Sequence, residues 1–259
     1  SVGGGIPVLH PLTQCMAANR IDEVYGILNG TSNYILTRMV RTGAFFSDAL
    51  REAQEKGYAE AEPSADVDGI DAGRKICILA DLAFGRNMPP EAVSAQGIRA
   101  VSREDVEYAQ RLGCVVKLLG RALRLPDGTA AAYVAPHFIS KANLLSHVDG
   151  VMNGIVVRGN AVGECLFYGP GAGGRATASA VVSDVVDCAR HPGEHMTCIW
   201  EEEPVHLKPF EDGISRFFVR VATAGEEEAD AVFGPVEKIR LEELPEEYGF
   251  LTERMTERE

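Results

Sequence analysis

The sequence predicts an α+β fold in which helices cover one face of a mainly antiparallel sheet. Short segments of alternating apolar residues occur in pairs joined by tight turns, such as Pro126-Asp127-Gly128-Thr129, and this pattern favours antiparallel hairpins. Between these pairs, residues that favour helix N-termini precede apolar positions at helical spacing. The chain has 259 residues, 46% of them hydrophobic, which suffices for one large domain or two smaller ones.

Turn and capping residues delimit the elements predicted in the first third of the chain. These elements are a short helix at 12–19, a strand at 23–28, a helix capped by Thr31 or Ser32 that stops at Gly43, a helix capped by Ser47 that stops at Gly57, an acidic loop at 58–70, and a helix from Asp71 to Phe84. The predicted order is therefore helix, strand, helix, helix, loop and helix.

Hairpins and helices alternate in the rest of the chain. The predicted elements are a helix from Ser102 to Gly113 with a capping box, strands at 115–125, 130–136, 155–158 and 164–168, a helix at 175–190, a strand at 217–222, and the start of a helix in the charged run 252–257. The four central strands are expected to form the antiparallel sheet.

The charge of the chain excludes several classes of partner. A formal net charge of −13 repels phosphate backbones and anionic lipid, so we expect small molecules rather than nucleic acid or membranes as partners. Most of this charge lies in residues 201–259, which carry 17 acidic and 7 basic side chains. The sequence has no signal-peptide pattern, no apolar run of about 18 residues and no CxxC pair, so a cytoplasmic protein with reduced thiols is expected.

Side chains that could carry chemistry are densest between Lys56 and Lys75. Asp71 and Lys75 are four residues apart, so they share one face of the predicted helix. Apolar residues follow Lys75 directly, and a lone ammonium there would be costly, so it needs carboxylate partners. Two interpretations stay open, a catalytic amine or an ordinary ion pair beside a solvated loop. An EF-hand is excluded because the third acidic position and the closing glutamate are missing.

A second candidate motif is Gly171-Ala172-Gly173-Gly174-Arg175-Ala176, which matches G-x-G-x-x-A between a predicted strand and a predicted helix. Backbone amides at such a helix N-terminus bind phosphate, but no βαβ unit surrounds this motif, so a turn required only for packing is the alternative. Histidine offers no metal site, because Pro192-Gly193 would break a helix between His191 and His195.

Four ordered segments resemble homoserine dehydrogenase over roughly residues 1–190. They are Ser1–Pro7, Gly26–Leu36, Gly57–Lys75 and Gly169–Ala176. The resemblance implies the reduction of aspartate semialdehyde to homoserine with NADH or NADPH, in the biosynthesis of threonine, methionine and isoleucine. A non-catalytic amino-acid-binding regulatory module is the competing hypothesis.

The resemblance also implies roles for individual residues. Lys75 is the expected proton donor, assisted by Asp71. The remaining positions are Glu60, Asp66, Tyr58 and Thr31 for the substrate, Gly171, Ala172 and Gly173 for NADP or NAD, and the backbone carbonyls of Val2, Gly4 and Ile6 for a monovalent cation, sodium or potassium.

Three regions follow from the resemblance. Residues 1–170 would form the substrate and dimerisation domain, which is expected to give a homodimer. Residues 171–192 would belong to a nucleotide-binding domain of the Rossmann type that precedes Ser1, so this chain alone is expected to be inactive. Residues 193–259 form an acidic region in which Arg216–Thr223 resembles the first strand of an ACT-type regulatory domain.

Overall fold

A computed structural model describes residues 1–193 and 200–258. Its internal contacts divide the chain into two units, Ser1–Leu207 and Lys208–Glu259. The functional boundaries predicted near residues 170 and 192 stay predictions. The positions of His195 and Cys198, which entered the histidine and cysteine arguments, lie outside the described residues.

A six-stranded sheet forms the centre of the first unit. Its strands, in chain order, are β1 (Ile21–Ile27), β2 (Ser94–Ala95), β3 (Cys114–Arg124), β4 (Ala130–Ser140), β5 (Met152–Gly159) and β6 (Gly163–Pro170). Their spatial order is β2-β4-β3-β1-β5-β6, and every neighbouring pair is antiparallel except β2 with β4. The predicted mainly antiparallel sheet is confirmed.

The helices of the first unit are interleaved with these strands. They are α1 (Gly30–Thr42), α2 (Phe46–Glu55), α3 (Ser64–Val67), α4 (Ile70–Phe84), α5 (Arg103–Arg111) and α6 (Gly174–Arg190). Helices α1, α4 and α5 all contact β3, which runs through the middle of the sheet. The predicted α+β class, with helices against the sheet, is confirmed.

Alternation along β3 supplies both faces of the sheet with apolar side chains. Val116 and Leu118 belong to the main core, together with Ile76 and Leu79 of α4. The opposite face carries a smaller buried cluster of Ile27, Leu119, Ile139, Leu145, Val148 and Val156. The catalytic candidates therefore lie on the side of the sheet where the helices pack.

The cap of α1 differs from the prediction. Asn29, rather than Thr31 or Ser32, is the N-cap, and its Oδ1 accepts a hydrogen bond from the Ser32 backbone N at 2.8 Å. Asparagine is among the strongest N-cap residues because its short side chain reaches the first unpaired amides of a helix. The predicted stop at Gly43 is confirmed, since Gly43 has φ 66 and its N–H bonds to the Met39 carbonyl.

Four further predictions need correction, one of them the acidic loop at 58–70, which contains the short helix α3 (Ser64–Val67). Ser47 does not cap α2, because it lies inside the helix, whose N-cap Phe45 makes no side-chain hydrogen bond. The helix predicted at 12–19 is a shorter π-helix, Pro11–Cys15. The helix predicted at 252–257 is wrong, because Met255 instead forms an antiparallel bridge with Ser215.

The second unit is small. Its strands β7 (Phe218–Ala222) and β8 (Glu247–Leu251) pair antiparallel, and α7 (Glu226–Phe233) packs against β7. Tyr248 and Phe250 of β8 are fully buried. The strand predicted at 217–222 is therefore confirmed to within a residue.

Helix α6 differs from the other long helices because none of its described residues is buried. Its valines Val181, Val182 and Val185 are all more than half exposed. Among the helices that the structure describes, none combines the length and the apolar composition needed to cross a membrane.

Candidate active site

Asn29 joins two carboxylates beside the N-terminus of α1. Its Nδ2 donates to Asp66 Oδ1 at 2.7 Å and to Asp71 Oδ2 at 2.9 Å. The same side chain caps α1 through its oxygen, so both ends of the carboxamide are used. The sequence argument missed Asn29, although an asparagine between a predicted strand and a predicted helix is an N-cap signal.

Lys75 completes this cluster. Its Nζ donates to Asp71 Oδ2 at 2.7 Å and to the Leu28 carbonyl at 3.1 Å. The helical spacing of four residues therefore brings Asp71 and Lys75 together as predicted. Their side chains are 30% and 23% exposed, so the pair is neither fully solvated nor sealed in the core. An ammonium has three N–H groups, and with two directed at these acceptors a third is available to a ligand.

The turn between α3 and α4 sets the separation of the two carboxylates. Gly69 has φ 80, a left-handed conformation that favours glycine, and a Cβ there would lie 3.1 Å from Val134 Cγ1. Asp66 precedes this turn and Asp71 follows it, so both reach Asn29. Asp68, within the turn, forms an ion pair with Arg99 instead.

Thr31 and Tyr58 lie on the other side of the α1 N-terminus. The Thr31 hydroxyl donates to the Tyr58 carbonyl at 2.7 Å, which fixes the turn after α2 against α1. The Tyr58 ring packs on Tyr34 with a centroid distance of 4.9 Å and remains 44% exposed. A role for Tyr58 in binding the substrate stays a prediction.

Hydrogen bonds among polar side chains hold Tyr34 in place next to that turn. The Tyr34 hydroxyl donates to Glu52 Oε1 at 2.8 Å, and Lys56 Nζ donates to the same carboxylate oxygen at 2.7 Å. These hydrogen bonds, first from Lys56 and then from Tyr34, lower the pKa of Glu52 to about 2. Glu52 is thus a structural carboxylate.

Glu60 is not brought into the Lys75 cluster. It is exposed, and its carboxylate has no hydrogen-bond or ion-pair partner within the described residues. Its backbone carbonyl accepts a hydrogen bond from Gln54 Nε2 at 3.1 Å. A substrate role for Glu60 therefore stays a prediction.

The glycine turn before α6 packs against the opening loop of the chain. A Cβ on Gly4 would lie 2.3 Å from the Gly171 carbonyl oxygen, and one on Gly5 would lie 2.9 Å from the Cβ of Ala176. Only glycine permits this approach of two backbones. The other side of the turn is open, because a Cβ on Gly173 or Gly174 would meet nothing within 4 Å.

The predicted cation ligands lie in the same opening loop. Val2 and Ile6 are buried, and Gly3 and Gly4 between them adopt positive φ angles of 78 and 50. The Ile6 carbonyl already accepts a hydrogen bond from the Val8 N–H at 2.8 Å, so it retains one lone pair for a cation. Backbone carbonyls are donors of the type that monovalent cations use.

Side chains, as well as backbone carbonyls, can hold a metal ion in a protein. Within residues 1–193 and 200–258, no three or more His, Cys, Asp or Glu side chains are grouped as metal ligands.

Comparison with known proteins connects these features. A family model described as homoserine dehydrogenase matches residues 7–186. The chain belongs to the homoserine dehydrogenase family. A homoserine dehydrogenase from Synechocystis sp. is 46% identical over 239 residues, which cover 86% of this chain and 54% of the relative. One from Helicobacter pylori is 44% identical and covers 87% and 53% of the two chains.

Solved structures of the family agree with the fold. A homoserine dehydrogenase from Thiobacillus denitrificans superposes with a TM-score of 0.89 at 36% identity, covering 99% of this chain and 63% of that one. A hyperthermophilic archaeal homoserine dehydrogenase mutant in complex with NADPH gives 0.62 at 34% identity, covering 73% and 54%. The chain thus spans about half the length of the curated homoserine dehydrogenases that it matches.

Proposed function

We propose that this chain supplies the substrate site of a homoserine dehydrogenase, which interconverts aspartate 4-semialdehyde and homoserine by reversible hydride transfer with NAD or NADP. The observation that carries the proposal is the cluster at the N-terminus of α4. There, Lys75 Nζ is held by Asp71 and by the Leu28 carbonyl, and Asn29 ties Asp66 to the same place.

The chemistry of the substrate suits these groups. Aspartate semialdehyde is an α-amino acid with an aldehyde, so carboxylates such as Asp66 and Glu60 suit its ammonium. A hydride that adds to the aldehyde carbon leaves negative charge on the oxygen, and a positioned N–H donor both stabilises this charge and delivers a proton. Lys75 fills that role, and Asp71 keeps its ammonium oriented. In the reverse direction the neutral amine of Lys75 accepts the hydroxyl proton of homoserine.

The chain also offers a seat for part of a nucleotide. The open turn at Gly171, Ala172 and Gly173 leads into the 17-residue helix α6, whose first amides are suited to a phosphate. When bound there, NADH or NADPH supplies the hydride. The turn packs against the opening loop, so the carbonyls of Val2, Gly4 and Ile6 that we propose for a sodium or potassium ion are adjacent to it.

We further propose a homodimer formed through the face of the sheet opposite α1 and α4. On β6, Leu166 is 36% and Tyr168 is 55% exposed, which leaves apolar surface for a second copy. A cytoplasmic enzyme fits the described cysteines, which are all unpaired.

The decisive experiment uses the full-length protein that contains this chain. Purified protein is mixed with homoserine and NAD or NADP, and formation of the reduced cofactor is followed by its absorbance. We expect turnover that depends on homoserine. Binding of homoserine by calorimetry without any turnover would instead favour a regulatory amino-acid-binding module.

A further inference from the structure

Helix α1 is fixed to the loop between β4 and β5 by hydrogen bonds along one of its faces. Asn33 Nδ2 donates to the carbonyls of Val148 and Met152 at 3.0 and 3.1 Å. One turn later, Thr37 Oγ1 accepts from the Gly150 backbone N at 3.1 Å. Residues four apart lie on the same side of a helix, so these contacts form a continuous polar strip.

Both ends of that strip are also attached to the loop. At the N-terminal end, a Cβ on Gly30 would lie 2.8 Å from the Val151 carbonyl oxygen, so the loop passes directly over the first turn of α1. At the other end, Arg41 Nη2 pairs with Asp149 Oδ2 at 2.5 Å. The loop therefore follows α1 over almost its whole length.

Lys117 of β3 lies at the centre of this arrangement. Its side chain is 2% exposed, and its Nζ donates to Val148 O at 2.6 Å, Asp149 Oδ1 at 3.0 Å and Asn33 Oδ1 at 3.1 Å. Three acceptors match the three N–H groups of an ammonium. Burial lowers the pKa of Lys117, and the hydrogen bond to Asp149 opposes that shift. A buried amine satisfied in this way is costly to disturb, because its removal leaves buried acceptors unpaired.

The residue that caps the same helix contacts the candidate active site. Asn29, the cap of α1, is four residues before Asn33 and holds Asp66 and Asp71. Asn33 is held by Lys117. A buried ammonium thus anchors α1 one helical turn from the residue that holds the carboxylate cluster.

We propose that Lys117 is a positioning residue for the substrate site, acting through Asn33 and the first turn of α1 on the Asn29 carboxamide that aligns Asp66, Asp71 and, through Asp71, Lys75. This inference rests on the proposed function, since it concerns the same site. Lys117 touches none of the reacting groups. Its effect is geometric, and displacements of about 1 Å are known to cost up to 10²-fold in turnover.

The test is Lys117→Met in the full-length enzyme. We expect kcat/KM for homoserine to fall by about 10- to 100-fold. Both a lower kcat, corrected for the fraction of active sites, and a higher KM for homoserine should contribute, while the KM for the cofactor changes less than about twofold. Val106→Ala, a substitution at a buried position of α5, is the matched control: it should lower the Tm and leave kcat and both KM values close to those of the parent.

A double-mutant cycle tests the route. If Lys117 acts through Asn29, Lys117→Met should have little further effect on kcat/KM in an Asn29→Ala background, whereas independent effects would multiply. The double variant Lys117→Met, Asp149→Asn removes the buried ammonium together with the charge of the partly exposed carboxylate that pairs with it. It should regain Tm without regaining kcat/KM, and it carries the same test if the single variant fails to fold.

The outcomes separate this proposal from the one on which it rests. Normal turnover by the parent, with kcat and homoserine KM of the Lys117 variants within about twofold of it, would overturn the positioning role alone. Recovery of kcat/KM together with Tm in the double variant would also overturn it, because the loss would then be one of stability. Absence of homoserine turnover in the parent would overturn the proposed function itself.

Discussion

Helices α4 and α6 both begin after a glycine with positive φ, yet they present their functional groups in different ways. Gly69, with φ 80, leads into α4, and Gly173, with φ 110, leads into α6. Helix α4 is packed into the core, and its first turns hold Asp71 and Lys75 by named hydrogen bonds. Helix α6 has no buried residue among those described and offers backbone amides and exposed valines.

The difference shows how each half of the candidate site is stabilised. The groups on α4 are fixed by contacts inside the first unit, so their geometry is a property of this chain. The N-terminus of α6 is fixed mainly where its glycine turn meets the opening loop, and its apolar side remains uncovered. We expect substitutions on α4 to change kcat. Substitutions on α6 should instead change how tightly this helix binds the part of the protein that covers it.

The largest effect is expected at Lys75. Lys75→Met keeps the length of the side chain and its helix propensity but removes the proton donor, so kcat of the full-length enzyme should fall by about 10²- to 10⁴-fold. The cofactor KM should stay near that of the parent. Steady-state kinetics and a thermal melt provide the measurement.

Arg74→Met is the matched control for this substitution. Arg74 is the exposed neighbour of Lys75 on α4, so its replacement should leave turnover nearly unchanged. If Lys75→Met keeps activity within about threefold of the parent, Lys75 is not the proton donor, and an ordinary ion pair with Asp71, worth at most about 1 kcal/mol, becomes the better interpretation.

The glycine turn should show the next largest effect. A Cβ on Gly171 would lie 1.9 Å from the buried Asn153 Oδ1, so Gly171→Ala must displace packed atoms. Such overpacking costs about 1–3 kcal/mol, and we expect a loss of this size in the free energy of unfolding of this chain, measured by denaturant titration. Because Gly171 is part of the proposed nucleotide seat, the same substitution should also raise the cofactor KM of the full-length enzyme.

Gly174→Ala separates close packing from a general effect of losing glycine. Gly174 begins α6 and a Cβ there would meet nothing within 4 Å, so alanine should be neutral or should stabilise by up to about 1 kcal/mol. Equal losses for the two variants would show that the close approach at Gly171 is not what requires glycine.

A smaller effect is expected at Glu60, which stands apart from the Lys75 cluster. If Glu60 binds the substrate ammonium, Glu60→Gln removes an interaction that is present in both ground and transition states. The KM for homoserine should then rise about tenfold, as expected for a hydrogen bond to a charged group worth about 1.5 kcal/mol, while kcat stays within about twofold. Glu55→Gln, at another exposed glutamate, should change neither constant.

An effect confined to kcat would assign Glu60 to the chemical step. No change in either constant would mean that Glu60 does not bind the substrate and is an exposed side chain in the enzyme as well. Both results would restrict substrate binding to the side chains gathered by Asn29, namely Asp66 and Asp71.

Local patterns predicted much of this molecule because they depend on residues near one another in sequence. The spacing of Asp71 and Lys75 predicted an ion pair that the structure contains at 2.7 Å. The capping box at Ser102 and Asp105 is likewise formed, with reciprocal hydrogen bonds between side chain and backbone.

The groups that sequence reasoning missed depend on contacts across the fold. Asn29 meets Asp66 and Asp71 from 37 and 42 residues away, and Lys117 meets Asn33 from 84 residues away. Nothing in the local pattern of β3 distinguishes an inward lysine with three acceptors from one that extends into solvent. Charge-bearing residues inside predicted strands therefore merit separate attention.

The smallest expected effect lies on α6 and sharpens the contrast between the two helices. Val182 is 59% exposed, so Val182→Ala in the 259-residue chain should change the free energy of unfolding by no more than about 0.5 kcal/mol. Leu79→Ala on α4, at a fully buried position, should cost about 2–5 kcal/mol in the same denaturant titration. In the full-length protein, a nucleotide-binding domain that covers α6 would bury Val182, and removing its two methyl groups should then cost about 1.5 kcal/mol. If Val182→Ala is as mild in the full-length protein as in this chain, α6 stays exposed there, and its valines do not pack into the nucleotide-binding domain to which the resemblance assigns residues 171–192.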